Sequence, residues 1–200
     1  EQIGESDNRL GEECGVFGAY DMDGATLPVR ILWAFALQHR GQESCGIAVT
    51  DTYGERKVHF KKALDWINEV FDEESLQTLK GNLGVGHVRY STAGGSKVEN
   101  AMPLVINYVK GTLAIAHNGN LTNAIELRRE LEYTGAIFQT TIDSEVIAYH
   151  IARERLKVGT VEEADAPGGG QMKGPYSLDG HESEKAHRRQ RSVWFKPLCI

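Results

Sequence analysis

The feature that most limits the fold is a succession of short apolar segments, each closed by turn residues. They are GVFGAY (15–20), CGIAVTD (45–51), KVHFKKA (57–63), LGVGHVRYS (83–91), MPLVINYV (102–109) and TLAIAHN (112–118). Such lengths suit β-strands and are too short for stable helices. Tyr53-Gly54 and Lys110-Gly111 supply hairpin turns between neighbours. Between the strand segments lie a few stretches of helical period. Residues 28–39 read as a helix with Thr26 as a cap and Pro28 in the first turn, and 73–81 as a short helix ending on Gly81. Residues 121–134 place Leu121, Ala124, Leu127 and Leu131 on one face, with Asn120 available as the N-cap. A last helix, roughly 143–157, starts at Asp143 and turns Val146, Ile147, His150 and Ile151 inward. Short strands gathered around a few amphipathic helices predict an α+β layered domain.

The chain of 200 residues is long enough for one compact domain with a real core. Its formal net charge of -6 argues against a general attraction to nucleic acid or acidic membranes. No apolar run approaches a transmembrane length, and the polar start EQIGESDNRLGEE is unlike a signal peptide. Cys14, Cys45 and Cys199 form neither a CxxC pair nor an even disulfide framework, which reads as a reducing, cytoplasmic setting. The ends read as those of a fragment of a longer protein, since the first residue is Glu and FKPLCI stops inside an apolar run.

A cysteine at the start of a strand is more often a small buried apolar residue than a nucleophile. Three features favour chemistry at Cys14. The polar leader of residues 1–13 has nothing in it to pack, so it reads as a removable segment. Once exposed as a first residue, a cysteine owns a thiol and an α-amine of pKa about 8, which serves as base for its own side chain. HNGN (117–120) ends a strand at a turn, where a backbone N–H and an Asn amide point outward, as an oxyanion hole requires. His87 and His117, two strand histidines without ligand spacing, read as core residues rather than a metal pair.

The blocks CGVFGAYD, LQHRGQESCGIAV, GVGHVRYSTAGGS, AHNGNLTNA and QTTIDSEV, in that order, resemble the glutaminase domain of the glutamine phosphoribosylpyrophosphate amidotransferases. The resemblance covers residues 12 to about 164, and five blocks together are specific where one would not be. Hexosamine synthases tend to read HRGYDS and HTRWAT where this chain has HRGQES and HVRYST, so that relative is the alternative rather than the first choice. The resemblance implies a four-layer αββα sandwich of the N-terminal-nucleophile hydrolase type. It implies that Cys14 attacks the glutamine amide and forms a thioester, with the Asn118 side chain and the Gly119 N–H holding the oxyanion. It gives Arg89 the substrate α-carboxylate, Asp143 the α-ammonium, Thr92 the loop over bound glutamine, and Arg40 and Gly41 support around the nucleophile. A planar guanidinium fork suits a carboxylate. Asp143 also has a plainer reading as a helix cap.

Residues 1–13 then read as a propeptide, and the unprocessed chain as an inactive precursor, because an amide nitrogen at Cys14 is no base. Residues 14–164 are the glutaminase domain, and 165–200 its incomplete end. No part resembles the family's phosphoribosyltransferase domain, where Mg²⁺ is expected. Some relatives carry a [4Fe–4S] cluster, but Cys45 and Cys199 match none of those motifs, and no cofactor is expected in this chain. The expected partners are glutamine, the missing transferase domain and, in the complete enzyme, further copies of itself. A non-catalytic, unprocessed fragment is the competing reading. In the tail, QMKGPYSL and FKPLCI match the family's next strand regions, whereas 165–170 and 179–194 do not. With a suitable choice of codons, reading 179–194 one base later gives MVMSPKKLIGARDP, an apolar strand and turn. That predicts a reading-frame error and damage to two strands of the sheet.

Overall fold

The structure, a computed structural model, describes residues 14–21, 31, 43–54, 57–89, 97–159, 164, 172–173, 176–184 and 193–194, the last two ranges as backbone. Two antiparallel four-stranded sheets lie face to face. The first contains β1 (Cys14–Tyr20), β2 (Ser44–Thr50), β3 (Val58–Ala63) and β4 (Leu83–Arg89) in the order β1-β4-β2-β3. The second contains β5 (Leu104–Tyr108), β6 (Gly111–Gly119), β7 (Tyr176–Glu184) and β8 (Val193–Trp194) in that order. Four helices are described: α1 (Ile67–Val70), α2 (Glu73–Thr78), α3 (Ala124–Tyr133) and α4 (Asp143–Arg155).

Alternation along the strands sorts the side chains into layers. In β2, Cys45, Ile47 and Val49 pack outward with Ile31, Ile67, Val70 and Phe71, while Ala48 packs inward with Val58, Val85, Ala114 and Ala116. In β6 the odd positions Leu113 and Ile115 face outward onto Leu127, Leu131, Val146, Ile147 and Ile151 of α3 and α4. The inter-sheet layer is thus built from alanines and valines, which lets side chains of one sheet reach the backbone of the other. Gly46 serves the same end. A Cβ there would run into the Met102 carbonyl oxygen, Lys62 Cβ and Pro103 Cδ.

The helix at 143 begins where expected, and Val146, Ile147, His150 and Ile151 are all buried. Three expectations need correction. The helix after HNGN starts at Ala124 rather than 121, and its flanking residue is Asn123, not Asn120. Residues 121–124 form a turn closed by Ala124 N donating to the Leu121 carbonyl at 3.3 Å, and Asn123, at φ −113° and ψ 25°, is not helical; Leu121 N donates to Asp143 Oδ2 and Thr122 N to the Lys173 carbonyl. The helix of 73–81 ends at Thr78. Gly81 is therefore not its stop; it permits close approach to β2, since a Cβ there would overlap the Thr50 backbone. The helix over 28–39 lies outside the described residues except Ile31, which is helical and buried.

The damage expected in the second sheet is absent from the described backbone, where both β7 and β8 are paired. Residues 179–184, within the stretch read as frame-shifted, continue β7 and pair with β6 from Ala116↔Asp179 to Gly111↔Glu184. Strand pairing uses main-chain groups that every non-proline residue carries, so a polar sequence takes the same ladder. The backbone course leaves the reading frame untested. Residues 165–170 lie outside the described residues.

Candidate active site

Cys14 begins β1 at the edge of its sheet and stands directly across from Arg89, the last residue of β4. On the other side of Arg89, Ser44 of β2 completes the row. Parity fixes the side on which these groups stand. Val16 and Val85 belong to the inter-sheet layer, so Cys14 and Arg89, at even spacing from them, share that face. In β6 the inward positions are Ala114, Ala116 and then Asn118. The nucleophile candidate, the guanidinium and the oxyanion candidate therefore meet at one mouth of the sandwich. The Asn118 Nδ2 donates to the Cys14 carbonyl at 3.2 Å, bridging the two sheets across 104 residues of chain.

Gly119 closes β6 with φ of 149°, a backbone state that L side chains rarely adopt. It is the last residue of the strand, next to Asn118 and across from Tyr176 of β7. Asp143, first residue of α4, approaches the same turn from behind. Its Oδ2 accepts from Leu121 N at 2.8 Å, and its Oδ1 lies 3.6 Å from His117 Nδ1. It is the first residue of its helix rather than the N-cap, which is Ile142. Burial works to raise the Asp143 pKa, but the contacts with His117, Leu121 N–H and Ser144 N–H outweigh it, and the carboxyl titrates below its usual range. A carboxylate fixed at this turn is suited to a cationic group.

Sequence reading passed over two residues that shape this site. Ser44, 1% exposed, lies beside Arg89 on the side away from Cys14. Glu145 is buried and accepts from Gln139 N, Thr140 N and Thr140 Oγ1 at 2.7–2.8 Å, fixing the loop that delivers Asp143. An acidic residue in a first helical turn was its only signal. Asn100 braces the same loop through Thr141. Thr92, Arg40 and Gly41, expected around the substrate and nucleophile, lie outside the described residues.

Cys45 has different chemistry. It faces outward into the helix-side core, its thiol donates to the Asp65 carbonyl at 3.4 Å, and burial pushes its pKa up to about 12, aided by Asp65 and opposed by Lys61. A cluster ligand must be a thiolate, and Cys14 and Cys45 point to opposite faces of one sheet, so these two residues do not fit an iron–sulfur cluster. Among the described residues no three His, Cys, Asp or Glu side chains gather as a metal site, and no helix is long and apolar enough to cross a membrane.

Residues 44–158 match the glutamine amidotransferase domain family. The amidophosphoribosyltransferase of Methanocaldococcus jannaschii is 45% identical over 188 residues, covering 94% of this chain and 39% of that protein. The amidophosphoribosyltransferase of Lacticaseibacillus casei is 48% identical over 146 residues, covering 72% of this chain and 73% of that sequence. Among solved structures, an allosteric regulatory enzyme of purine biosynthesis superposes with a TM-score of 0.74 at 40% identity, over 82% of this chain and 34% of its own. The chain thus spans about two fifths of the length of most curated relatives it matches. The αββα sandwich is that of the N-terminal-nucleophile hydrolases. Fold, motif order and sequence likeness agree, and the chain belongs to the glutamine amidotransferase domain family, in its amidophosphoribosyltransferase branch.

Proposed function

We propose that this domain hydrolyses glutamine to glutamate and ammonia, with Cys14 as nucleophile once residues 1–13 are removed. The observation that carries the reading is the bridge from Asn118 Nδ2 to the Cys14 carbonyl, with Arg89 across from Cys14 in the ladder. In the processed chain the Cys14 amine takes the thiol proton, and the sulfur attacks the side-chain amide carbon of glutamine. Negative charge collects on the amide oxygen, where the Asn118 amide and the Gly119 N–H meet it. The C–N bond breaks as the ammonium of Cys14 returns its proton to nitrogen, and ammonia leaves behind a thioester. Water then attacks the thioester, glutamate departs, and the thiol is regenerated. Arg89 holds the substrate α-carboxylate and Asp143 its α-ammonium, while Thr92 belongs to the loop over the substrate and Arg40 and Gly41 support the nucleophile.

In the complete enzyme the ammonia passes to a phosphoribosyltransferase domain and displaces pyrophosphate from phosphoribosylpyrophosphate, giving 5-phosphoribosylamine at the start of purine synthesis. Magnesium and the phosphorylated substrate belong to that domain. The complete enzyme is a cytoplasmic homo-oligomer on this reading. The test is a glutaminase assay on protein beginning at Cys14, beside protein that keeps residues 1–13 and a Cys14→Ala control. Glutamate release from the first alone is expected; equal rates in all three would remove both the nucleophile and the processing step.

A further inference from the structure

We propose that His87 is a positioning residue for this reaction: its Nε2 donates to the His117 carbonyl across the sandwich and thereby holds the end of β6, with Asn118 and Gly119, against the edge that carries Cys14 and Arg89. The inference rests on the assignment of Asn118 and Gly119 as oxyanion donors.

Three observations carry it. The His87 ring is fully buried between the sheets, and its Nε2 lies 3.1 Å from the His117 main-chain oxygen. A carbonyl only accepts, so the Nε2 bears the hydrogen and the tautomer is fixed. Burial, with His117 and Arg89 nearby, pushes the ring's pKa down to about 3 despite the opposing carbonyl bond, so that N–H keeps its form across the ordinary working range. The other ring nitrogen, Nδ1, is buried with no hydrogen-bond partner among the described residues. A site chosen for packing alone has no reason to accept that cost, since an apolar ring or aliphatic side chain would fill it.

The second observation concerns which strand needs support. β4 has β1 on one side and β2 on the other as far as Arg89. The end of β6 has less. Its ladder with β5 stops at Leu104↔Ile115, so among the described residues the strand neighbours of His117, Asn118 and Gly119 are Leu178, Ser177 and Tyr176 of β7, with the His117 ring also reaching Ser144 Oγ of α4 at 3.0 Å. The hydrogen bond from His87 enters at the first of these three residues, one position before the oxyanion amide.

Third, His87 sits two residues before Arg89 on the same inward face, and β1 places Val16 directly opposite it. A shift of His117 relative to His87 is therefore a shift of the oxyanion donors relative to the nucleophile. A displacement of about 1 Å in such a group costs on the order of a hundredfold in rate.

The test compares His87→Gln, His87→Asn and His87→Leu in protein beginning at Cys14. Gln carries an amide N–H at about the reach of Nε2, Asn falls short of it, and Leu has no donor. Asn and Leu are expected to lose about tenfold to a hundredfold in kcat with KM held within about threefold, while Gln stays near the parent. Alkylation of Cys14 by iodoacetamide, which builds no oxyanion, should proceed at the parent rate in all of them. Parent-like kcat in Asn would overturn the inference. So would an equal loss in Gln and Asn together with slowed alkylation or lost folding, which would assign His87 to the core. If Leu does not fold, Gln against Asn decides alone. A parent protein without glutaminase activity would overturn the underlying reaction, and this inference with it; an active parent with unimpaired variants overturns this inference only.

Discussion

Substitution of Asp143 separates the job its carboxylate performs, holding the Leu121 N–H, from the one we propose for it, holding the substrate ammonium. Asp143→Asn keeps an oxygen where Oδ2 now accepts from Leu121 N at 2.8 Å, but removes the charge. Asp143→Ala removes both. A charge-assisted hydrogen bond to a substrate ammonium contributes about 1.5–3 kcal/mol, roughly tenfold to a hundredfold in affinity. That contact is made equally in ground and transition states, so in Asp143→Asn it should appear as a raised KM with kcat within about threefold. The alanine variant additionally leaves the N–H of buried Leu121 without its acceptor, which should lower unfolding free energy by about 1–3 kcal/mol. Because Leu121 lies just after Gly119 in the chain, the variant's kcat should fall as well. The sign of the pH effect follows from the direction of the shift. A carboxyl whose pKa is depressed in the folded state contributes stability in full above its unfolded value, about 3.9, and loses it as pH falls through the lower folded value. The stability gap between parent and Asp143→Asn should thus be flat from about pH 5 to 8 and shrink below about pH 4. Initial-rate glutaminase kinetics and urea titrations of protein beginning at Cys14 measure all of this. An Asp143→Asn protein with unchanged KM would refute the substrate contact and leave Asp143 as a scaffold acceptor.

Other predictions concern the scaffold. Cys45 should resist iodoacetamide at pH 8 in the folded chain, because a thiol of pKa about 12 is thiolate to only about one part in ten thousand there; peptide mapping should find it modified only after unfolding. Glu145→Ala should lower the unfolding free energy by about 2–5 kcal/mol in urea, since Gln139 N–H and Thr140 N–H both lose their acceptor. Gly46→Ala should cost about 1–3 kcal/mol by wedging a methyl against the Met102 carbonyl and Lys62, read as a lower urea midpoint at unchanged slope.

Strand order in the chain was legible from alternation and turn residues, and the inward set of α4 from its period. Interactions between distant segments were not. Asn120 looked like a cap because local chemistry favours it, yet Lys173, 50 residues on, accepts from Thr122 N and donates to Asn123 Oδ1, and Asn123 is the residue that flanks the helix. Gly81 looked like a helix stop, and its reason is the close approach of Thr50, at the end of β2. At the site, HNGN announced a turn with outward donors, but only the register shows that Cys14, Ser44 and Arg89 form one row facing Asn118. His87 read as a core histidine, and it is buried as that reading requires. Its contact with the His117 carbonyl depends on how two sheets stack, which no local pattern encodes.

The pairing of the end of β6 with β7 alone has a consequence in time. Synthesis from the N-terminus brings Cys14 out first and the strand that flanks Asn118 more than 150 residues later. Until that late segment docks, the proposed oxyanion donors Asn118 and Gly119 lack the strand they pair with. On the proposed reading a nascent chain therefore carries a chemically ordinary cysteine through most of its production: its surroundings are complete only when the second sheet closes, and its amine is free only when residues 1–13 leave.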